Sequence, residues 1–180
     1  MATLGLTTAV TAKRLNSNQI EVQVNRRLAS SKSKPDMVSI ADVGFGVSQT
    51  LPVVAALAVA VENQFVYIEQ PEIHLHPNAQ RAMATLIVEA ANRGVRVVIE
   101  THSSILLRAL QTLIAKGEMP HEEVILHWFQ RNAKTGLTSV ESVTPDECGR
   151  TGDWPVDFDD VILQGDADYL DAVEARRVKS

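Results

Sequence analysis

The sequence has very little cysteine: Cys148 is the only one among 180 residues. A single cysteine cannot form an internal disulfide, and the first residues lack the basic and apolar segments of a secretory leader. We therefore expect a cytoplasmic protein. Long apolar runs are also missing, since the longest, 51–61, contains Pro52 and is far shorter than the roughly 20 residues that a bilayer-spanning helix needs. We expect no membrane span.

Positive charge is scarce as well. Seventeen lysines and arginines face 22 aspartates and glutamates, which gives a net charge of −5 at pH 7. A surface that coats nucleic acid is basic, because it must displace counterions from phosphates. The composition excludes such a coat, although it allows a local basic patch. With 45% hydrophobic residues, the chain is long enough to form one domain with a substantial core.

The middle of the chain has the pattern of a βαβ unit. Segment 65–68 is short and apolar, 78–93 has a helical apolar stripe opened by Pro77, and 95–99 is a second apolar run. Both runs read as strands that are covered on both faces. A crossover of this kind makes the two strands parallel, and ligands gather at the carboxyl ends of parallel strands. We therefore expect four polar residues to share one sheet edge: Glu69, Gln70, Glu72 and His102.

The flanking segments suggest further elements. Alternation predicts a hairpin with strands at 8–14 and 20–25, followed by a loop. A helix is predicted over 50–62, beginning near Pro52 after a glycine loop, and another over 103–116. Strand-like segments at 124–131 and 137–143 are expected to continue the sheet. This gives three expected regions: a hairpin and loop at 1–36, an α/β lobe with a mainly parallel sheet at 37–145, and an acidic tail at 146–180 with a last helical stretch near 168–177.

Three motifs occur in order: DVGFGVSQ at 42–49, YIEQPEIHLHP at 67–77 and IETHS at 99–103. They resemble the signature motif, the Walker B strand with its D-loop, and the switch histidine of ABC-type ATPases of the SMC and OLD-like kind, including prokaryotic families labelled AAA. The resemblance covers most of residues 37–160. Residues 153–155 and 158–160 resemble the tail found in one branch of these families. It implies the C-terminal half of a P-loop NTPase domain.

The glycine loop, residues 44–46, offers backbone N–H groups at the positive end of a helix dipole, which suits a phosphate. The resemblance implies that Gly44, Gly46, Ser48 and Gln49 touch the γ-phosphate of ATP held by the opposite subunit. In the family a serine stands where this chain has Gly44. The alternative interpretation is a tight turn that only packs a strand against a helix.

At the Walker B strand, the resemblance implies that Glu69 ligates Mg²⁺ and that Gln70 stands at the position of the catalytic acid. Glutamine cannot take a proton, so it would orient the attacking water, or Glu72 would serve as the base. His102 matches the histidine that hydrogen-bonds the γ-phosphate, and its alternative role is a structural cap. His76 replaces the D-loop aspartate that faces the partner subunit.

The phosphate-binding loop G-x-x-x-x-G-K-[ST] is absent from the sequence, and that loop cradles the α- and β-phosphates. We therefore expect a truncated or split product, or a partner that brings a Walker A-bearing lobe. The leading hypothesis is half of a composite ATPase that uses ATP and Mg²⁺. A homodimer is also possible, and family analogy alone suggests DNA or a nuclease as further partners.

Two other hypotheses stay open. One is a metal-dependent hydrolase, in which His74 and His76 lie on one side of an extended segment and Glu69, Glu72 and His102 add ligands. The other is a non-catalytic interaction module that keeps the fold and hydrolyses nothing.

Overall fold

The computed structural model describes residues 1–27, 34–152 and 167–176, the last range without 172 and 175. The chain divides into two compact units, Met1–Leu113 and Ile114–Ser180. The first unit contains the predicted hairpin and the βαβ pattern. The boundary falls near the end of the third α-helix.

The first unit begins with a small antiparallel sheet. Strands β1 (Val10–Arg14), β2 (Ile20–Asn25) and β3 (Met37–Ser39) pair in the order β1-β2-β3. The hairpin is therefore confirmed, and the sequence missed β3 because three residues are too few to show alternation. The Thr7 hydroxyl donates a 2.8 Å hydrogen bond to the carbonyl of Asn25, which ties the chain ahead of β1 to the end of β2.

Helix α1 (Phe45–Val59) begins directly after Gly44. The prediction that it starts near Pro52 is wrong, since Pro52 lies inside the helix and is exposed. A proline there removes one hydrogen bond of the helix, and Gly44 at the N-cap position decides where the helix starts. Only Thr50 and Leu57 of α1 are buried.

The βαβ unit is confirmed. Strands β4 (Phe65–Glu69) and β5 (Arg96–Glu100) pair in parallel, with Phe65 opposite Arg96 and Glu69 opposite Glu100. Helix α2 (Pro77–Asn92) connects them, opens with Pro77 and ends before Gly94, which has a φ of 81°. Its buried residues recur at helical spacing: Ala79, Met83, Ala84, Ile87, Val88 and Ala90.

One face of the β4–β5 pair is open to solvent. Phe65, Tyr67 and Val98 are 66%, 51% and 45% exposed, whereas Ile68 on the other face is buried. Parallel sheets are normally covered by helices on both faces. The expectation that both strands are buried on both faces is therefore wrong for this chain. We call the surface formed by Phe65, Tyr67 and Val98 the open face.

Helix α3 (Ser104–Ala115) follows β5, and the second unit contains β6 (Leu126–Arg131) and β7 (Thr138–Val143). These two strands form their own antiparallel sheet, so the expectation that they continue the parallel sheet is wrong. Within 167–176, the described positions are helical. The tail motifs at 153–155 and 158–160 lie outside the described residues. In the described parts of the chain, no helix has the length and apolar character to cross a membrane.

Candidate functional site

The predicted polar edge forms at the carboxyl ends of β4 and β5. The parallel register sets Glu69 and Glu100 side by side, and both are exposed. The Tyr67 hydroxyl donates to Glu100 Oε2 at 3.3 Å. Partial desolvation raises the pKa of the Tyr67 phenol, and the carboxylates of Glu69 and Glu100 raise it further. Negative charge is therefore concentrated at this end of the sheet.

Gln70 ends β4 in an unusual backbone conformation. Its φ is 45°, a left-handed value that is uncommon for residues other than glycine, asparagine or aspartate. Its N–H donates to the Glu100 carbonyl at 2.7 Å, and its own carbonyl accepts from Ile73 N at 3.2 Å. The chain therefore turns sharply immediately after the strand. Strained residues of this kind cluster at functional sites.

Glu72 joins the loop after β4 to the loop after β5. It is only 8% exposed, and its Oε1 accepts the Thr101 hydroxyl at 2.7 Å and the His102 N–H at 3.0 Å. Among the described residues, Glu72 Oε2 is buried and has no hydrogen-bond partner. The carboxylate is therefore turned toward the neighbouring loop.

The Glu72 contacts belong to a closed ring of hydrogen bonds. Thr101 Oγ1 accepts from Ser103 N at 3.0 Å, and Ser103 Oγ donates to Gln80 Oε1 at 2.7 Å. Gln80 Nε2 then donates to the Leu75 carbonyl at 2.9 Å, and Leu75 N donates to the Glu72 carbonyl at 3.0 Å. The ring ties the two loops to the first turn of α2. We refer to it as the Glu72 ring.

The first turn of α1 lies against the loop after β4. A Cβ added to Gly46 would lie 3.1 Å from the His74 carbonyl, so only glycine fits there without a shift. The rings of Phe45 and His74 are 5.6 Å apart and inclined by 33°. Ser48 Oγ donates to the Phe45 carbonyl at 3.4 Å within the first turn of α1. The structure thus brings the first and second sequence motifs into contact.

The three histidines of the predicted site occupy different settings. His74 has a φ of 65° within a turn, and His76 caps α2 by accepting Asn78 N at its Nδ1, 3.4 Å away. The expectation that His74 and His76 lie on one side of an extended segment is therefore wrong. His102 is exposed, while its backbone N–H is held by Glu72. No cluster of three or more metal-ligating side chains occurs in the parts of the chain that the structure describes.

Sequence reasoning missed several residues of this site. Glu100 lies beside Glu69, and the strand register could have revealed it, since both residues end their strands. Thr101, Ser103 and Gln80 are part of the Glu72 ring, but their contacts cross between loops and no local pattern indicates them. The metal-dependent hydrolase stays a prediction from the sequence, and the individual roles of the predicted site residues do too.

Parts of the chain are similar to three known proteins. A stretch of 47 residues is 36% identical to the Old nuclease of Escherichia phage P2, and it covers 26% of this chain and 8% of that protein. The chain thus spans a small part of this relative's length. An Smc head bound to the C-winged helix domain of ScpA has a TM-score of 0.56 at 14% identity, covering 81% of this chain and 40% of that chain. An SMC ATPase structure from work on ATP-driven dimerization and DNA stimulated activation has a TM-score of 0.49 at 15% identity, covering 79% of each chain.

The likeness to the Smc head shows the fold, which is that of P-loop NTPases. The family described as "AAA ATPase domain" matches residues 6–107, which is more than half of the chain and includes all three motifs. The resemblance to SMC- and OLD-like ATPases is thereby confirmed, and the chain belongs to the AAA ATPase domain family.

Proposed function

We propose that the chain is one half of a composite ATP site. It would bind and hydrolyse ATP only together with a Walker A-bearing lobe, whether this lobe belongs to the same protein or to a partner. One observation carries the proposal: the parallel pairing of β4 and β5 gathers Glu69, Gln70, Glu72 and His102 at one sheet edge. This edge is where α/β proteins bind their ligands.

The charges at this edge suit Mg²⁺. The ion prefers oxygen ligands, and it is commonly held by one or two carboxylates together with substrate phosphates. Glu69 and the adjacent Glu100 supply carboxylates of this kind. We propose that Glu69 holds the ion, with Glu100 beside it. The bound ion would neutralise charge on the phosphates.

Gln70 and His102 are the proposed groups for hydrolysis. A glutamine amide both donates and accepts hydrogen bonds, so Gln70 can orient a water although it cannot take its proton. Glu72 is buried and one of its oxygens already accepts two hydrogen bonds, which favours Gln70 for contact with water. His102, whose side chain is exposed, would donate to the γ-phosphate.

The glycine loop would bind the ATP of an opposite subunit. Gly44 precedes the first turn of α1 and has no side chain to cap it, so the first N–H groups of the helix point away from the helix body. Phe45 is 70% exposed at the same place. We propose that Gly44, Gly46, Ser48 and Gln49 face that nucleotide and that His76 faces the opposite subunit. A homodimer is one way to provide this subunit.

The open face is the proposed contact for the Walker A-bearing lobe. A parallel sheet needs cover on this side, and the exposed side chains of Phe65, Tyr67 and Val98 would provide an apolar contact. One relative is called a nuclease, which suggests a further partner. DNA or a nuclease partner is proposed here by analogy only.

The same open face favours a second candidate function, a non-catalytic interaction module. Such a module would use Phe65, Tyr67 and Val98 to bind a partner without hydrolysing ATP. The two functions differ in what happens when a Walker A-bearing polypeptide is added.

The deciding experiment mixes the full chain with a polypeptide that carries G-x-x-x-x-G-K-[ST] and measures phosphate release. We expect Mg²⁺-dependent hydrolysis in the mixture and none in either component alone. Glu69→Gln in this chain should abolish it, while the exposed control Glu89→Gln should not. Association without hydrolysis would support the interaction module. Strong hydrolysis by the pure chain alone, lost in Glu69→Gln, would refute the composite site.

A further inference from the structure

Glu72 has a setting that the proposed ATP site does not explain by itself. It lies in a loop, where carboxylates normally face water, yet it is 8% exposed. Burying a charge is costly unless hydrogen bonds compensate. The two donors seen for this carboxylate among the described residues come from the segment after β5, namely the Thr101 hydroxyl and the His102 N–H, and both bond Oε1.

Hydrogen bonds to a charged acceptor are stronger than those between neutral groups. The two donors converge on the same atom, Oε1, so Glu72 fixes a side chain and the adjacent backbone at once. The residue on the other side of His102 is fixed as well, because Ser103 N donates to Thr101 Oγ1 and Ser103 Oγ donates to Gln80. His102 therefore sits in a backbone segment that is held on both sides.

The fixed segment is also tied to Gln70. The Gln70 N–H donates to the Glu100 carbonyl, and Glu100 directly precedes Thr101. The Glu72 ring closes on the other side, through Leu75 and Gln80. The loops that carry Gln70 and His102 are therefore joined by hydrogen bonds on both sides.

We infer that Glu72 is a positioning residue, which holds the His102 segment at a fixed distance from Gln70 through Thr101 and the His102 N–H. It acts through His102 rather than on a substrate. The positioning is a property of the folded chain, and its consequence for hydrolysis rests on the proposed ATP site.

The positioning is tested by amide hydrogen exchange, followed by NMR in the full chain without nucleotide. The His102 amide is compared with the amide of Met83, which lies within α2 and is fully buried. We expect Glu72→Ala to speed exchange at His102 by about tenfold or more relative to Met83, since it removes the only acceptor seen for this N–H among the described residues. A general loss of stability would speed exchange at both positions.

Matched substitutions separate the effect of the Glu72 carboxylate on exchange from other effects of a substitution. Glu72→Gln keeps an oxygen at Oε1 and should speed exchange at His102 less than Glu72→Ala does. Thr101→Val removes the hydroxyl at nearly constant shape and should loosen His102 and Ser103, whereas Thr101→Ser should restore protection. The exposed control Glu89→Gln should change nothing.

An unchanged ratio of His102 to Met83 exchange in folded Glu72→Ala would overturn the inference. If Glu72→Ala does not fold, Thr101→Val provides the test. The inference then requires that Thr101→Val raises the ratio of His102 to Met83 exchange and that Thr101→Ser does not. Equal ratios in both threonine variants would likewise overturn the inference.

The consequence for hydrolysis is read from the mixture with the Walker A-bearing polypeptide. Glu72→Ala should lower kcat and leave KM for ATP nearly unchanged, and it should cause no further loss in a His102→Ala background. Losses that multiply would show that Glu72 acts independently of His102. If the wild-type mixture hydrolyses no ATP, the proposed function fails, while the exchange result still decides whether Glu72 positions His102.

Discussion

Glu69 and Glu100 are register partners at the last positions of the parallel strands β4 and β5, and the Tyr67 hydroxyl lies 3.3 Å from Glu100 Oε2. Like charges on adjacent strands repel each other, so this pair costs stability unless a cation or a donor relieves it. Tyr67 supplies one donor. Its phenol therefore reports on the charge at the proposed Mg²⁺ site.

The first prediction concerns the titration of Tyr67. The chain has two tyrosines, so Tyr169→Phe leaves Tyr67 as the only one, and the ultraviolet absorbance of phenolate follows it. We expect a pKa above 10.0, raised by partial desolvation and then by Glu69 and Glu100. Glu100→Gln should lower this pKa, because it removes one of the negative charges. Glu89→Gln, on α2, should leave the curve unchanged, and an equal effect of both variants would contradict the assignment.

The sign of the linked stability follows from the same shift. The folded chain binds the phenol proton more tightly than the unfolded chain, whose pKa is 10.0. The favourable contribution is therefore fully present below that pKa and is lost as the pH rises through the folded value. Neutral pH lies below this window, so the titration of Tyr67 does not change stability there.

The second prediction concerns the open face. Phe65→Ser and Val98→Ser should reduce binding of a hydrophobic dye and reduce self-association in sedimentation experiments, because both side chains are exposed. Neither change should lower the free energy of unfolding by more than about 1 kcal/mol, since little buried apolar area is lost. Phe129→Ser, an exposed aromatic on β6, is the matched control. If Phe65→Ser and Phe129→Ser reduce dye binding equally, the open face is not the main hydrophobic binding surface.

Hydropathy patterns predicted β2, β4, α2 and β5 to within one residue at each end, because each combines a clear apolar period with strong boundary residues such as Pro77 and Gly94. They did not predict the start of α1. Pro52 resembles a first-turn residue, whereas the helix begins at Phe45, since Gly44 and Gly46 allow a turn against the loop after β4. Nor could an apolar strand reveal that its outer face is exposed in the described part of the chain, because cover comes from distant parts of a fold.

The residues of the candidate site also fall into those that the sequence could place and those that it could not. Residues at or just after strand ends, such as Glu69 and His102, could be placed from the sequence, since parallel pairing puts strand ends together. The partners of Glu72 could not, because Thr101 is 29 positions away in sequence and the contact depends on side-chain geometry. The contact between Phe45 and His74 was missed for the same reason.

The third prediction concerns Gly46. Gly46→Ala places a methyl group 3.1 Å from the His74 carbonyl, a backbone atom that can move little. Overpacking typically costs about 1–3 kcal/mol, whereas alanine in a helix gains at most about 1 kcal/mol over glycine. We expect a net destabilisation of about 1 kcal/mol in denaturant unfolding. At Gly44 an added Cβ meets no atom within 4 Å, so Gly44→Ala should cost less. Greater stability of Gly46→Ala would contradict the contact.

The fourth prediction concerns His102 in the reconstituted ATPase. His102→Ala should lower kcat by about two orders of magnitude, because losing one preorganised donor to developing charge typically costs ~3 kcal/mol. The exposed ring makes few packing contacts, so its removal should leave thermal stability nearly unchanged. Activity that is indifferent to this change would mean that His102 is only a structural element at the start of α3.

The Glu72 ring also limits how this segment can vary in length. Loops usually accept insertions and deletions, since few of their atoms have fixed partners. Here the hydrogen bonds from Leu75 N to the Glu72 carbonyl and from Gln80 to the Leu75 carbonyl close only at one spacing. An added residue between 72 and 75 would move Gln80 away from Ser103 or Glu72 away from Thr101. Between β4 and α2 the chain is therefore a spacer of set length, in which substitutions are easier to accommodate than any change in residue number.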